Sequence, residues 1–208
     1  DQFLSEGRRP LECLSEFADR YLEDLFTGIH ILPFFPYSSD DGFSIIDYRS
    51  VDRSLGTWDD ISRIGKRYRL MSDLVLNHCS VQSEWFRGFL RVDKRYRDYF
   101  ITADPDTDYS MIVRPRSLPL LTKFETDSGI EHVWTTFSPD QVDLNFSNPE
   151  VLLELIDVFL FHLAQGVQVI RLDAIAYVWK DIGHPSIHHE KTHAIVQLFR
   201  AICDSYFP

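Results

Sequence analysis

An α/β fold, with a parallel sheet crossed over by helices, is predicted by three observations in this chain of 208 residues. Short apolar runs that do not alternate recur at Ile29-His30-Ile31-Leu32, at Leu70-Met71-Ser72-Asp73-Leu74-Val75-Leu76 and at 167–172, as in strands buried on both faces. Between them lie segments with apolar residues at helical spacing. Each strand runs into polar, chemically capable residues: Asp40 to Phe43 after the first, Asn77-His78 after the second and Asp173 after the third. That order suits a (β/α)8 barrel and a doubly wound sheet equally well. No G-x-G-x-x-G follows any strand, so a dinucleotide site has nothing to rest on.

Leu11, Leu14, Phe17, Ala18, Tyr21, Leu22 and Leu25 predict an amphipathic helix over 11–26 that Gly28 ends, and the strand that follows is closed by Pro33. A turn-rich aromatic loop covers 34–48. Thr57 then caps a helix to about Lys66, with Asp59 and Asp60 in its first turn. From Cys79 to Ser147 no long period holds, and Pro105, Pro115, Pro119 and Pro139 interrupt the chain, which reads as an inserted subdomain. Asn148-Pro149 opens a helix through Gln165, with Gly166 just past its end. A last helix runs from about Lys191 to Tyr206.

The net charge of −11 disfavours a nucleic-acid partner, because a phosphate backbone needs basic surface. The one basic stretch, Arg87 to Arg97, carries Trp85, Phe86, Phe89 and Leu90 at helical spacing, so its charges read as the solvated face of a small helix. Cys13, Cys79 and Cys203 are isolated, which points to a reducing compartment and a cytoplasmic protein. No apolar run reaches the length of a membrane span and no charged-then-apolar leader opens the chain, so no membrane association is expected. The chain starts at Asp1 rather than Met and stops at Pro208, and the expectation is a piece of a longer protein.

Chemistry concentrates at the strand ends. In Val169-Ile170-Arg171-Leu172-Asp173-Ala174, Arg171 and Asp173 are two apart on a strand and share a side. An Arg beside an Asp favours the ionised carboxylate that a nucleophile requires, although the pair alone also fits a structural ion pair. Asp73-Leu74-Val75-Leu76-Asn77-His78 likewise fits a strand whose last His only caps a loop.

Taken together these segments resemble glycoside hydrolase family 13, the α-amylase family. Asp73 to His78 resembles its first signature segment, Arg171-Leu172-Asp173-Ala174 its second, Gln141-Val142-Asp143-Leu144-Asn145 its fifth, and Gly28 to Pro33 the segment on its second strand. The resemblance implies a partial (β/α)8 TIM barrel, about strands 2–4. Residues 1–78 and 148–208 are then barrel parts, and 79–147 an inserted domain B between strand 3 and helix 3. The run Leu32-Pro33-Phe34-Phe35-Pro36-Tyr37-Ser38-Ser39-Asp40-Asp41-Gly42-Phe43, with Ile46-Asp47-Tyr48 and Thr136-Phe137-Ser138-Pro139-Asp140-Gln141-Val142-Asp143, is similar to the sucrose phosphorylase subfamily. Asp41 beside Asp40, and Arg114-Pro115-Arg116-Ser117, are closest to its glucosylglycerate and sucrose 6-phosphate phosphorylases.

What the resemblance implies is a retaining α-glucosyl-transferring enzyme, a phosphorylase that takes an α-glucoside and phosphate to α-glucose 1-phosphate. Asp173 would be the nucleophile and Arg171 its positioning partner. Asp40 would hold distal hydroxyls of the glucosyl ring, His78 the hydroxyl nearer the reacting end, and Phe43 would form an apolar wall. Phe137 and Gln141 would shape the mouth from domain B. Separately, Pro115 and Pro119 partly pre-set the backbone around Arg114 and Arg116, which are then expected to meet phosphate or an anionic acceptor, the alternative being surface charge of the insert. No cofactor is expected beyond inorganic phosphate as co-substrate, and the expected partners are that phosphate and a small carbohydrate. The family's acid/base is a Glu at the end of strand five. After Asp173 the acidic residues are Asp181, Glu190 and Asp204, none in that place, so the expectation is a donor pocket without its proton donor and no activity for this stretch alone. The competing readings are a hydrolase or transglucosidase of the same family and a non-catalytic sugar-binding relative.

Two metal readings are weaker. His189-Glu190-Lys191-Thr192-His193 matches the zinc signature H-E-x-x-H, but its helix is expected to begin only near Lys191, after the Gly183-His184-Pro185 turn. Asn77 takes the place of a calcium ligand found in many amylases, and the phosphorylase branch generally lacks that site. No metal is expected.

Overall fold

The computed structural model describes residues 5–22 and 25–207. Its elements in chain order are helix α1 (Pro10–Tyr21), strand β1 (Gly28–Ile31), helix α2 (Trp58–Gly65), strands β2 (Arg69–Val75) and β3 (His78–Ser80) and helix α3 (Glu84–Leu90). Strands β4 (Leu121–Thr126), β5 (Gly129–Trp134) and β6 (Gln141–Asp143) follow, then helix α4 (Pro149–Ala164), strand β7 (Val169–Asp173) and helix α5 (Glu190–Tyr206). The chain divides into two compact units. One comprises the chain up to Leu74 with Asp157–Leu172, the other Val75–Ile156 with the chain from Asp173 on.

The first unit is built on a sheet in the order β1-β2-β7. Strands β1 and β2 are parallel, with Gly28 opposite Arg69 and Ile31 opposite Ser72. This is the α/β arrangement that the buried apolar runs predict. Gly28 does not end the preceding helix, as expected from sequence, but opens β1. A Cβ there would lie 3.0 Å from the Arg69 carbonyl oxygen, so the close strand approach excludes a side chain. Helix α1 stops at Tyr21 rather than Phe26. Leu25 and Phe26 are 70% and 58% exposed, so a further turn would bury nothing. Residues 23 and 24 lie outside the described residues.

Helix α2 begins as the sequence predicts. Asp60 accepts from the Thr57 backbone N–H at 2.9 Å and from its hydroxyl at 2.8 Å, and it receives Arg9 of the α1 N-terminus at 3.2 Å. Helix α4 ends in a Schellman motif: Gly166, at φ 93°, donates to Leu163 and Val167 donates to His162. His162 is buried on that last turn. Its Nε2 donates to the Tyr48 carbonyl at 2.8 Å, and its ring stacks on Phe35 at 5.0 Å. Phe35 and Trp58 pack against it and Phe34 packs on Trp58, so the aromatic loop after β1 is anchored by core rings at one end and through the Tyr48 carbonyl at the other.

The second unit has two small antiparallel sheets, β3-β6 and the hairpin β4-β5. Phe86, Phe89, Phe100 and Phe124 form its aromatic core, with centroids 4.8–5.4 Å apart. Helix α3 carries Phe86 and Phe89, as the spacing of the basic stretch predicts, and Gly88 between them is imposed by contact. A Cβ there would fall 2.3 Å from the Tyr96 ring.

Burial holds His162 neutral, with its pKa pushed down to about 4 from the ordinary 6.5. The unfolded chain therefore binds a proton that the folded chain refuses as pH falls from 6.5 to 4, and stability declines through that window by up to roughly 3 kcal/mol. Melting temperatures of the full-length protein over this range should fall more steeply than those of His162→Gln. Parallel curves would remove His162 as the cause.

Candidate active site

Two groups of polar residues stand at or just beyond strand ends, one in each unit. In the first, Asp73 of β2 is fully buried and bridges a histidine and an arginine. It accepts from His30 Nε2 of β1 at 2.8 Å and from Arg171 Nη1 of β7 at 2.5 Å. The carboxylate is inaccessible while the Arg171 side chain is 45% exposed, so the guanidinium is held through Nη1 with much of the side chain open. Arg171 precedes Asp173 by two residues on β7, and Asp173 ends that strand. Ala174 turns the chain at φ 52°, and a 3-10 turn over Ile175–Tyr177 follows.

Asp40 and Phe43 lie in the loop after β1, both half-buried. The loop folds back on itself through Ile46 N–H to Pro36 O at 2.7 Å and Ser38 N–H to Ser44 O at 3.0 Å. At its tip three successive residues take positive φ: Asp40 at 56°, Asp41 at 51° and Gly42 at 104°. Two of them carry side chains, a strain that concentrates where chemistry is expected.

In the second unit His78 opens β3 opposite Asp143 of β6. Gln141 Nε2 lies 3.0 Å from His78 Nε2, and its Oε1 accepts from Ser138 at 2.9 Å. The Phe137 ring lies 5.0 Å from His78 and meets Tyr177 edge-on at 5.4 Å. Three residues proposed from sequence, His78, Phe137 and Gln141, are thus brought into one cluster. They adjoin a buried group of Asp143, Asn77 and Lys180, of which the sequence did not single out Lys180. Asp143, fully buried, accepts from Thr136 N at 3.0 Å, from the Thr136 hydroxyl, from Asn77 Nδ2 at 3.1 Å and from Lys180 Nζ at 2.6 Å. Lys180 is 3% exposed and also donates to Asn77 Oδ1 at 2.5 Å. Burial pushes its pKa down, and Asp143 pushes it partly back up. The one sequence signal for Lys180 is that no other Lys or Arg occurs between Arg171 and Lys191.

Arg114 and Arg116 do not act alike. Arg114 donates to the Leu118 carbonyl at 2.8 Å and closes its own loop, whereas Arg116 rides over the Phe137 ring at 5.9 Å. His189 caps α5 rather than lying on it. Its Nδ1 accepts from Lys191 N at 3.1 Å and its Nε2 meets Asp181 at 3.1 Å, so it does not pair with His193 across one helical turn. Asn77 Oδ1 is likewise taken by the Lys180 ammonium, where a cation ligand would need it free. A cavity of about 450 Å³ beside Trp179 and Lys180 contains none of the residues proposed from sequence.

Against this geometry, the catalytic-domain profile of α-amylase matches residues 19–201. The chain belongs to the α-amylase family. Among α-amylase-family relatives, the glucosylglycerate phosphorylase of Spirochaeta thermophila is 62% identical over 208 residues, all of this chain and 35% of the relative. That of Escherichia coli is 48% identical over 209 residues, again all of this chain and 37% of the relative. The chain therefore spans little more than a third of these relatives. The crystal structure of sucrose 6F-phosphate phosphorylase from Thermoanaerobacter thermosaccharolyticum superposes with a TM-score of 0.88 at 32% identity, covering 94% of this chain and 43% of that one. An isomaltulose synthase of Erwinia rhapontici gives a TM-score of 0.83 at 26% identity, covering 97% and 40%.

The Asp40 loop supplies its own test. A Cβ on Gly42 would lie 2.9 Å from the Pro33 carbonyl, in a backbone conformation L side chains rarely adopt. Gly42→Ala should therefore cost roughly 1–3 kcal/mol. Asp41→Gly relieves a strained φ and should be neutral to within about 1 kcal/mol. Equal melting temperatures for the two variants would contradict this account of the loop.

Proposed function

We propose that the chain carries the glucosyl-donor side of a retaining phosphorylase. The enzyme would convert an α-glucoside of the glucosylglycerate, sucrose or sucrose 6-phosphate type, with phosphate, to α-glucose 1-phosphate. The observation that carries this reading is 62% identity to a glucosylglycerate phosphorylase over all 208 residues. Residues 1–78 and 148–208 are read as barrel and 79–147 as domain B. The thiols of Cys13, Cys79 and Cys203 are unpaired, which supports a reducing compartment, the cytoplasm.

In the first step the Asp173 carboxylate attacks the anomeric carbon as the bond to the leaving oxygen breaks, and that oxygen takes a proton from an acid/base carboxyl. No residue of this chain is assigned that role. In the second step a phosphate oxygen attacks the same carbon from the opposite face, Asp173 leaves, and the acid/base takes up the proton. Two inversions give retention. Arg171, itself held by Asp73, keeps positive charge beside the nucleophile. Asp40 takes the distal hydroxyls, His78 the hydroxyl near the reacting carbon, and Phe43 a ring face. Phe137 and Gln141 shape the mouth, and Arg116 with Arg114 meets the anionic co-substrate.

In the full-length protein Asp173→Ala should remove essentially all turnover, and a fluorinated glucosyl donor should label Asp173. A label on another carboxylate would sink the nucleophile assignment. Arg116→Ala should raise the KM for phosphate while hydrolysis of the glucosyl enzyme by water survives, a contrast that separates phosphorolysis from a hydrolase or transglucosidase. Steady-state kinetics with phosphate varied decides it, and an unchanged KM in both Arg114→Ala and Arg116→Ala would leave these residues as surface charge.

A further inference from the structure

We propose that Lys180 is a positioning residue for glucosyl transfer, its ammonium setting the placement of His78, Phe137 and Gln141 through Asn77 and Asp143. This deepens the reading above and rests on it. Lys180 Nζ donates to Asn77 Oδ1 at 2.5 Å and to Asp143 Oδ2 at 2.6 Å, with its side chain 3% exposed. One bond further on, Asn77 Nδ2 lies 3.2 Å from His78 Nδ1. Asp143 Oδ1 accepts at 3.0 Å from the backbone N–H of Thr136, the residue before Phe137. Gln141 is two residues before Asp143 on β6, and its Nε2 lies 3.0 Å from the other ring nitrogen of His78. The ammonium therefore joins the turn into β3, the segment 136–143 and the loop after β7.

A counter-charge for Asp143 would need only one contact, and Lys180 makes two. The pair is also not held for stability alone. Burial lowers the pKa of Lys180 more than Asp143 restores it, so the charged form is kept in place against its desolvation. What the ammonium supplies is a fixed geometry for the side chains around His78.

The test uses the full-length protein in an Asp143→Asn background, where the buried site has no anion to neutralise. Lys180→Met removes both charge and donor, whereas Lys180→Gln removes the charge and keeps a donor. Both double variants should melt below the wild type but close to each other, so a difference in turnover between them is not a difference in folding. With α-glucosyl fluoride as donor, the Met variant should lose about 100-fold in kcat, the scale of a misplaced catalytic contact. The Gln variant, which shares the Asp143→Asn change, should keep at least about 10-fold more kcat than the Met variant. The loss should fall on kcat more than KM, because hydroxyl contacts near the reacting carbon tighten in the transition state. Equal kcat and equal glucose affinity in the two double variants would overturn the proposal. Running the wild type with and without phosphate keeps the two readings apart. Donor consumption that never uses phosphate defeats the phosphorylase reading and leaves the Lys180 comparison standing on hydrolysis. If the wild type turns nothing over, glucose affinity by calorimetry decides. A weaker Kd in the Met variant than in the Gln variant then supports positioning, and equal affinities end it.

Discussion

The fully buried carboxylate of Asp143 is the constraint around which the second unit is arranged. Its two oxygens accept four hydrogen bonds, from one backbone amide, one hydroxyl, one carboxamide and one ammonium. A buried anion with that many donors is tolerable only because each donor is held in place by something else. Thr136 is fixed by its position after β5, Asn77 by its backbone carbonyl, which accepts from Leu144, and Lys180 by its second bond to Asn77. Removing any one of them leaves charge or an unpaired polar atom in a dry site, at a cost of several kcal/mol for a broken buried pair. Such an arrangement specifies one geometry more than it adds stability. His78, Gln141 and Phe137 are within one or two bonds of it.

The first unit solves a similar problem with a more open node. Asp73 is as inaccessible as Asp143, but its partners His30 and Arg171 are partly exposed, so solvent screens the far side of each pair. That difference suits their proposed tasks. A residue that holds a sugar hydroxyl must be rigid, whereas a guanidinium beside a nucleophile has to stay charged and reach outward. The Asp40 loop uses a third device, backbone strain, in which Asp40 and Asp41 are kept at positive φ by the carbonyl bonds on both sides and by Gly42 wedged against Pro33.

Much of this was legible in the chain because helices and buried strands announce themselves locally. Thr57 and Asp60 make a cap, Gly166 makes a helix end, and non-alternating apolar runs make strands buried on both faces. The hairpin β4-β5 was not legible. Its turn is Asp127-Ser128, which lacks the Asn-Gly or Asp-Gly dipeptide that marks two-residue hairpins, and its strands carry Lys123, Glu125 and Glu131 among the apolar residues. Gly28 was misread because a glycine after a helical pattern usually ends it. Here its meaning lies 41 residues away, in the Arg69 carbonyl that it faces across the sheet. Lys180 was missed for the same kind of reason. Its partners Asn77 and Asp143 are distant in sequence, and no local pattern encodes a long-range ion pair.

On the proposed reading, Arg114 and Arg116 show how an acidic protein can still present a site to an anion. A net charge of −11 repels phosphate at long range, but salt screens that field within about 10 Å, so local placement decides. Arg114 spends its guanidinium on Leu118 O, which closes the loop between two prolines and removes much of its freedom. Arg116 is then carried on a short, stiff segment over the face of Phe137. That ring also meets His78 and Tyr177, so the cation, the proposed sugar contact and the turn after Asp173 share one aromatic platform. On the proposed reading, a change in the loop that shifts Phe137 acts on donor and anion together. Selection for a new acceptor can then proceed through residues 114–119 without disturbing Asp73, Arg171 or Asp143.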